Sequence, residues 1–145
     1  MERELRERLF TRAAGYCERC GGGMEFESFA AHHRLLRSQG GTDSLPNLMA
    51  LHHSCHNGDT KSVHAHPHTS YNEGWMVRSG QDPRITSMRI PGGVRVLLHE
   101  DGLYEYPCME CDRIYPMAFQ AKNCVRKDKT AHDDDIPEET ETDEQ

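Results

Sequence analysis

Two short ligand pairs, Cys17-x2-Cys20 and His52-x2-Cys55, carry the clearest chemistry in this sequence. Each pair fits on one turn, and together they supply what a closed four-coordinate Zn²⁺ site needs. Gly21, Gly22 and Gly23 follow the first pair, as suits a tight knuckle whose backbone amides face a thiolate-bound metal. The histidines exceed what that site can use. Eight of the 10 lie between His32 and His68, and imidazole is a costly core filler because both ring nitrogens need partners. The surplus points to a second metal site. A further group, Cys108-x2-Cys111 with Cys124 and His132, has zinc spacing only in its first pair and is a candidate for a second zinc.

The order and spacing of these residues resemble the HNH endonucleases of the ββα-metal class, especially the small ones of bacteriophages and their bacterial hosts. The resemblance is carried by Cys17-x2-Cys20, His32-His33-Arg34-x2-Arg37-Ser38-Gln39-Gly40-Gly41-Thr42-Asp43, Asn47-Leu48 and Leu51-His52-x2-Cys55-His56, over roughly residues 8 to 78. It includes 14 positions from His33 to Asn47 and 9 from Asn47 to His56. The resemblance implies that His32 and His56 hold a catalytic divalent ion, Mg²⁺ or Mn²⁺. It makes His33 the general base, and Asn47 the residue that holds the hairpin loop and helps orient that base. His52 stands where the family more often has Cys. Members with a third ligand often place it four residues after the last His, which here is Thr60; His64 fills that role if residues 58–62 form an insertion. His66 and His68 are expected at the surface.

Phosphodiester hydrolysis needs an activated water, charge neutralisation at the phosphate and help for the leaving 3′ oxygen. A neutral imidazole is a competent base near physiological pH. Arg34 and Arg37 flank the base and are candidates for phosphate contact through their forked guanidinium groups. Two adjacent histidines on a strand point to opposite faces, and the family resolves this with a distorted hairpin end. The expected activity is metal-dependent cleavage of DNA. The competing readings are a zinc-stapled nucleic-acid-binding module without catalysis and a module recruited to a phage packaging or restriction complex.

The elements that must position these residues are few. At 145 residues with 35% hydrophobic content, the chain has a thin core, and small core-poor domains usually need a metal or disulfides as a staple. Leu5, Leu9 and Ala13, spaced by four, predict an amphipathic helix over residues 2–14 that ends at Gly15. A strand is expected within Phe26 to Leu36, a polar turn at Ser38 to Asp43, and a second strand at Leu48 to Leu51, giving a long-looped hairpin. Residues 53–66 read as a helix that is interrupted or starts late. Trp75 is expected in the core. Val94, Val96 and Leu98, then Asp101-Gly102, then Leu103 to Tyr106 predict a second hairpin.

The expected class is α+β, with an HNH nuclease domain over 1–80, a C-terminal extension over 81–132 and a disordered acidic tail over 133–145. The net charge of −7 argues against nucleic acid only until it is located. Eight acidic residues and no basic one lie from Asp133 to Glu144, so residues 1–132 hold 17 Lys+Arg against 16 Asp+Glu. Such an acidic stretch buries too little apolar surface to order itself. The charged N-terminus has no apolar signal region, and no run of about 18 apolar residues could cross a membrane. A reducing cytoplasmic location is therefore expected, with the cysteines free for metal rather than disulfides.

Overall fold

A computed structural model describes residues 1–58, 60–107 and, as the backbone of a short strand, 114–115. The candidate second zinc group of Cys108, Cys111, Cys124 and His132 lies outside the described residues, as does the acidic tail. The order of elements is α1 (Arg3–Arg12), β1 (Ala30–His33), β2 (Leu48–Leu51), α2 (Pro67–Glu73), β3 (Met88–Arg89), β4 (Arg95–Leu98), β5 (Tyr104–Pro107) and β6 (Ile114–Tyr115). Single 3₁₀ turns at Arg37–Gln39 and Leu45–Asn47 and a π-helical turn at Ser54–Gly58 fill the connections. The class is α+β, as expected. No helix among the described residues is long and apolar enough to cross a membrane.

Strands β1 and β2 pair antiparallel, with Ala30 opposite Leu51 and His33 opposite Leu48. The β1 strand is four residues long, shorter than the expected run from Phe26. At its start, Ser28 and Phe29 turn their amides back onto the Glu25 carbonyl. At its end, the Arg34 side chain turns into the interior. The second hairpin is present as β4 and β5, with Leu98 opposite Tyr104 across the Asp101-Gly102 turn, and β3 and β6 extend it to four strands.

Strand β2 is buried along its whole length because both of its faces are covered. Its side chains alternate between two cores, as the period of a strand requires. Leu48 and Ala50 pack with Leu9, Ala13, Phe29 and Leu45, while Met49 and Leu51 pack with Cys17, Val63, Met76, Met88, Val96 and Leu98. The second of these cores takes residues from both sides of the expected boundary at 80. The second hairpin is therefore part of the same packed body as the zinc-spaced cysteines. At about 1.5–3 kcal/mol for each large side chain fully buried, a core this small leaves little margin, and polar ties do much of the remaining positioning.

One tie joins α1 to both hairpins. Arg12 and Glu18 form a buried two-pronged ion pair, with both N···O distances 2.9 Å. Arg12 also donates to the Leu45 and Leu48 carbonyls, and Glu18 accepts from the Ala50 amide at 2.8 Å and from the Tyr104 hydroxyl at 2.6 Å. With these bonds made, neither charge is left unpaired in the interior, which is the condition for burying an ion pair at all.

The other tie corrects an expectation. Arg34 is completely buried, so it does not contact phosphate. Its guanidinium donates to four carbonyls, those of Gly74 at 2.8 Å, Pro46 at 2.9 Å, Pro83 at 3.1 Å and Thr86 at 2.6 Å. Burial pushes this guanidinium down to about 9, yet the four acceptors keep it satisfied as a cation. Arg34 thereby fastens the segment 74–86 to the loop that carries the site. Substituting Arg34→Met keeps the volume but strands those carbonyls, and it is expected to cost about 3–5 kcal/mol. Equilibrium urea unfolding checks this; a midpoint matching the native protein would show that the carbonyls find other partners.

Candidate metal centres and catalytic site

The zinc-spaced pairs converge. One ligand atom from each of Cys17, Cys20, His52 and Cys55 lies within 4.8 Å of all the others. The first pair sits on a knuckle closed by Cys17 N–H to the Gly22 carbonyl and Gly21 N–H to the Cys17 carbonyl, both 2.8 Å. The second pair follows β2 directly, with His56 N–H bonded to the His52 carbonyl at 3.0 Å. His52 Nε2 donates to the Gly23 carbonyl at 2.8 Å, which leaves the Nδ1 lone pair facing Cys20 Sγ at 3.2 Å. An outer hydrogen bond of this kind fixes the tautomer of a metal-binding histidine.

Gly22 lies so close to this ring that a Cβ there would fall 2.8 Å from His52 Cε1. Burial and the neighbouring Cys17 push the Cys55 thiol up to about 12. Burial also works against the Cys20 thiolate, but the Gly22 amide and the adjacent Cys17, Cys55 and His52 outweigh it and bring Cys20 to about 7. Three thiols packed this closely resist a second negative charge unless a cation is shared among them. These four residues fit a structural zinc.

A second cluster forms from His32, His56 and His64, whose ligand nitrogens also lie within 4.8 Å of one another. The ring centroids are 4.9 to 5.2 Å apart. His64 reaches the cluster because the chain doubles back after the π-helical turn. Val63 N–H bonds to the Cys55 carbonyl and His64 N–H to the His56 carbonyl, which sets His64 Nε2 3.2 Å from His56 Nε2. His66 and His68 lie outside the cluster, exposed at the start of α2.

His32 is almost fully buried and donates Nε2–H to the Trp75 carbonyl at 2.7 Å. Its Nδ1 is buried with no hydrogen-bond partner. An orphaned acceptor at this depth costs free energy unless something occupies it. Burial, reinforced by facing His56 and His64, pushes His32 down to about 3 against the pull of the Trp75 carbonyl. Burial and His64 lower His56 as well. Both rings are held neutral, the form that binds metal. The cluster fits a divalent ion.

His33 lies on the other face of β1 and is only partly buried, with its Nε2 2.7 Å from Asp43 Oδ1. Arg37 also reaches Asp43, through Nη2 at 2.8 Å, and is mostly exposed. Asn47 is buried in the 3₁₀ turn before β2 and spans the loop. Its Oδ1 accepts from the Leu35 amide at 2.7 Å, while Nδ2 donates to the Leu35 and Thr42 carbonyls at 3.0 Å. Its side chain thus bonds to the loop backbone. Gly41 makes that fold of the loop possible, because a Cβ there would lie 1.8 Å from the Leu35 carbonyl oxygen.

Sequence reasoning assigned no role to Asp43, to the Trp75 carbonyl, or to α2, which carries Trp75's segment beneath the cluster. The helix did leave a signal, Pro67 at its first turn and Gly74 just past its end. Trp75 packs partly buried against the larger core, with its indole N–H bonded to the Arg89 carbonyl and Arg19 stacked 4.9 Å from its centroid.

No curated protein and no solved structure matches the chain. Residues 17–62 match the family model for HNH endonuclease. That stretch, which is similar to an HNH endonuclease domain, takes in all four zinc-spaced ligands, the His32-His33 pair, Asn47 and His56.

Proposed function

We propose that this chain is a metal-dependent DNA endonuclease that hydrolyses phosphodiester bonds, with His33 as general base and His32, His56 and His64 as ligands of a catalytic divalent ion. The observation that carries the proposal is the buried, unpartnered His32 Nδ1 within a cluster of three imidazoles. When bound, the ion supplies charge neutralisation at the phosphate and the leaving 3′ oxygen. His33 takes the proton of the attacking water. Arg37, exposed beside it, offers a fork to the phosphate oxygens. Asn47 keeps the loop in shape under both. Cys17, Cys20, His52 and Cys55 hold zinc and do no chemistry.

Among the described residues the cluster is three imidazoles without a carboxylate, which favours Mn²⁺ and the later transition ions over Mg²⁺, an ion that prefers oxygen ligands. The sequence-based expectation of Mg²⁺ or Mn²⁺ is thereby narrowed. The test is plasmid nicking after mild chelation that leaves one zinc per chain, followed by return of single metals. Mn²⁺, Co²⁺ or Ni²⁺ should restore nicking better than Mg²⁺ does. DNA binding with no nicking under any metal would reject the enzyme in favour of a zinc-stapled binding module.

A further inference from the structure

We propose that Asp43 is the positioning residue for His33, fixing its imidazole as the Nε2–H tautomer so that Nδ1 is the atom that receives the proton from water. The inference rests on the reading of His33 as the general base. Two atoms that both lack a proton repel at 2.7 Å, and a carboxylate has none to give when ionised. The short Nε2 to Oδ1 contact therefore places the hydrogen on Nε2. Asp43 is ionised in this setting, because the hydrogen bond from His33, helped by the charge of Arg37, outweighs the opposing effect of burial and holds its carboxyl below the usual range.

Arg37 sharpens the choice. Its Nε lies 3.2 Å from His33 Nε2, but an Nε2 that already carries hydrogen accepts nothing, so the productive bond of Arg37 is the one from Nη2 to Asp43 Oδ1. Asp43 thus joins the base to the arginine beside it through a single oxygen. Without the carboxylate, Arg37 Nε–H would be free to bond to Nε2, which selects the opposite tautomer and removes the lone pair from Nδ1.

The backbone around Asp43 is set from within. Asn47 Nδ2 holds the carbonyl of Thr42, the residue just before Asp43, so Asn47 acts on the base through Asp43 rather than by touching it. In the reaction a water O–H bond breaks and the proton passes to His33 Nδ1. The water oxygen bonds to phosphorus as the P–O3′ bond breaks, and the 3′ oxygen leaves with the electron pair and takes a proton from solvent. Nε2 keeps its own proton, and the new imidazolium faces the Asp43 carboxylate.

The test uses the full chain loaded with zinc. Ring ¹⁵N shifts of His33, assigned by comparison with His33→Gln, should show the Nε2–H tautomer in the native protein and a shift toward Nδ1–H in Asp43→Ala. Plasmid nicking by Asp43→Ala, with the preferred metal, should show kcat lowered ~10–100-fold and KM little changed, the usual scale for losing an outer orienting partner. Asp43→Asn, which retains an acceptor oxygen, should recover the tautomer and part of the rate. An unchanged tautomer in Asp43→Ala would overturn the inference while leaving His33 as base. A shifted tautomer with unchanged kcat would overturn the base assignment itself, and with it any catalytic value of the contact.

Discussion

Replacing His33 by alanine should lower plasmid nicking by roughly 10²–10⁴-fold, the usual worth of a general base, while zinc content and unfolding midpoint stay near their native values. The separation is possible because of where the side chain lies. His33 belongs to neither cluster, and its side chain bonds to Asp43 at a partly exposed edge of β1. Substitutions at such positions usually change stability by only about 0.5 kcal/mol. His32→Ala would be a poorer probe, since it removes a metal ligand, a buried ring and the bond to Trp75 at once. The measurement is initial nicking rate at saturating plasmid, with bound zinc counted on the same sample. Nicking at the native rate would exclude His33 as the base whatever metal is present.

Stripping the zinc, or substituting Cys17→Ser, should unfold the domain rather than merely lower its melting point. Structural zinc contributes roughly 10–16 kcal/mol in isolated fingers, and a whole domain is stable by only about 5–15 kcal/mol. The loss therefore meets or exceeds the total. Cys17 adds a second reason, because it is a fully buried member of the core that also contains Met49, Leu51 and the strand residues Val96 and Leu98. Thiolates released from the metal would be left against that apolar surface. Circular dichroism and amide hydrogen exchange on chelated protein check the expectation. A Cys17→Ser protein that melts within a few degrees of the native one would show that the four residues are not a structural zinc site.

The sequence made the ligand sets legible because metal ligands obey short, fixed spacings, and a pair such as Cys17 and Cys20 announces itself without knowledge of the fold. The strand Leu48–Leu51 and the turn at Asp101-Gly102 were legible for similar local reasons, an apolar run and a turn pair. What stayed hidden depends on distant chain. Arg34 reads as a surface base beside a histidine, and only the carbonyls of Gly74, Pro83 and Thr86 turn it inward. His64 could be named as a third ligand only on condition of an insertion at 58–62, and it is the pairing of the Cys55 and Val63 backbones that meets the condition. Glu18, between Cys17 and Cys20, gives no local sign that it is the buried partner of Arg12.

The burial of Arg34 also bears on what can be cut out of this chain. Three of its four acceptors lie beyond residue 62, where the family match ends, and so do the core residues Val63, Met76, Met88, Val96 and Leu98. A fragment trimmed to the matched stretch would carry Cys17, Cys20, His52 and Cys55 and the His32-His33 pair, yet expose an arginine shaped to be enclosed. The recognisable motif and the unit that folds are thus of different lengths, and an excised version has to run at least through the second hairpin.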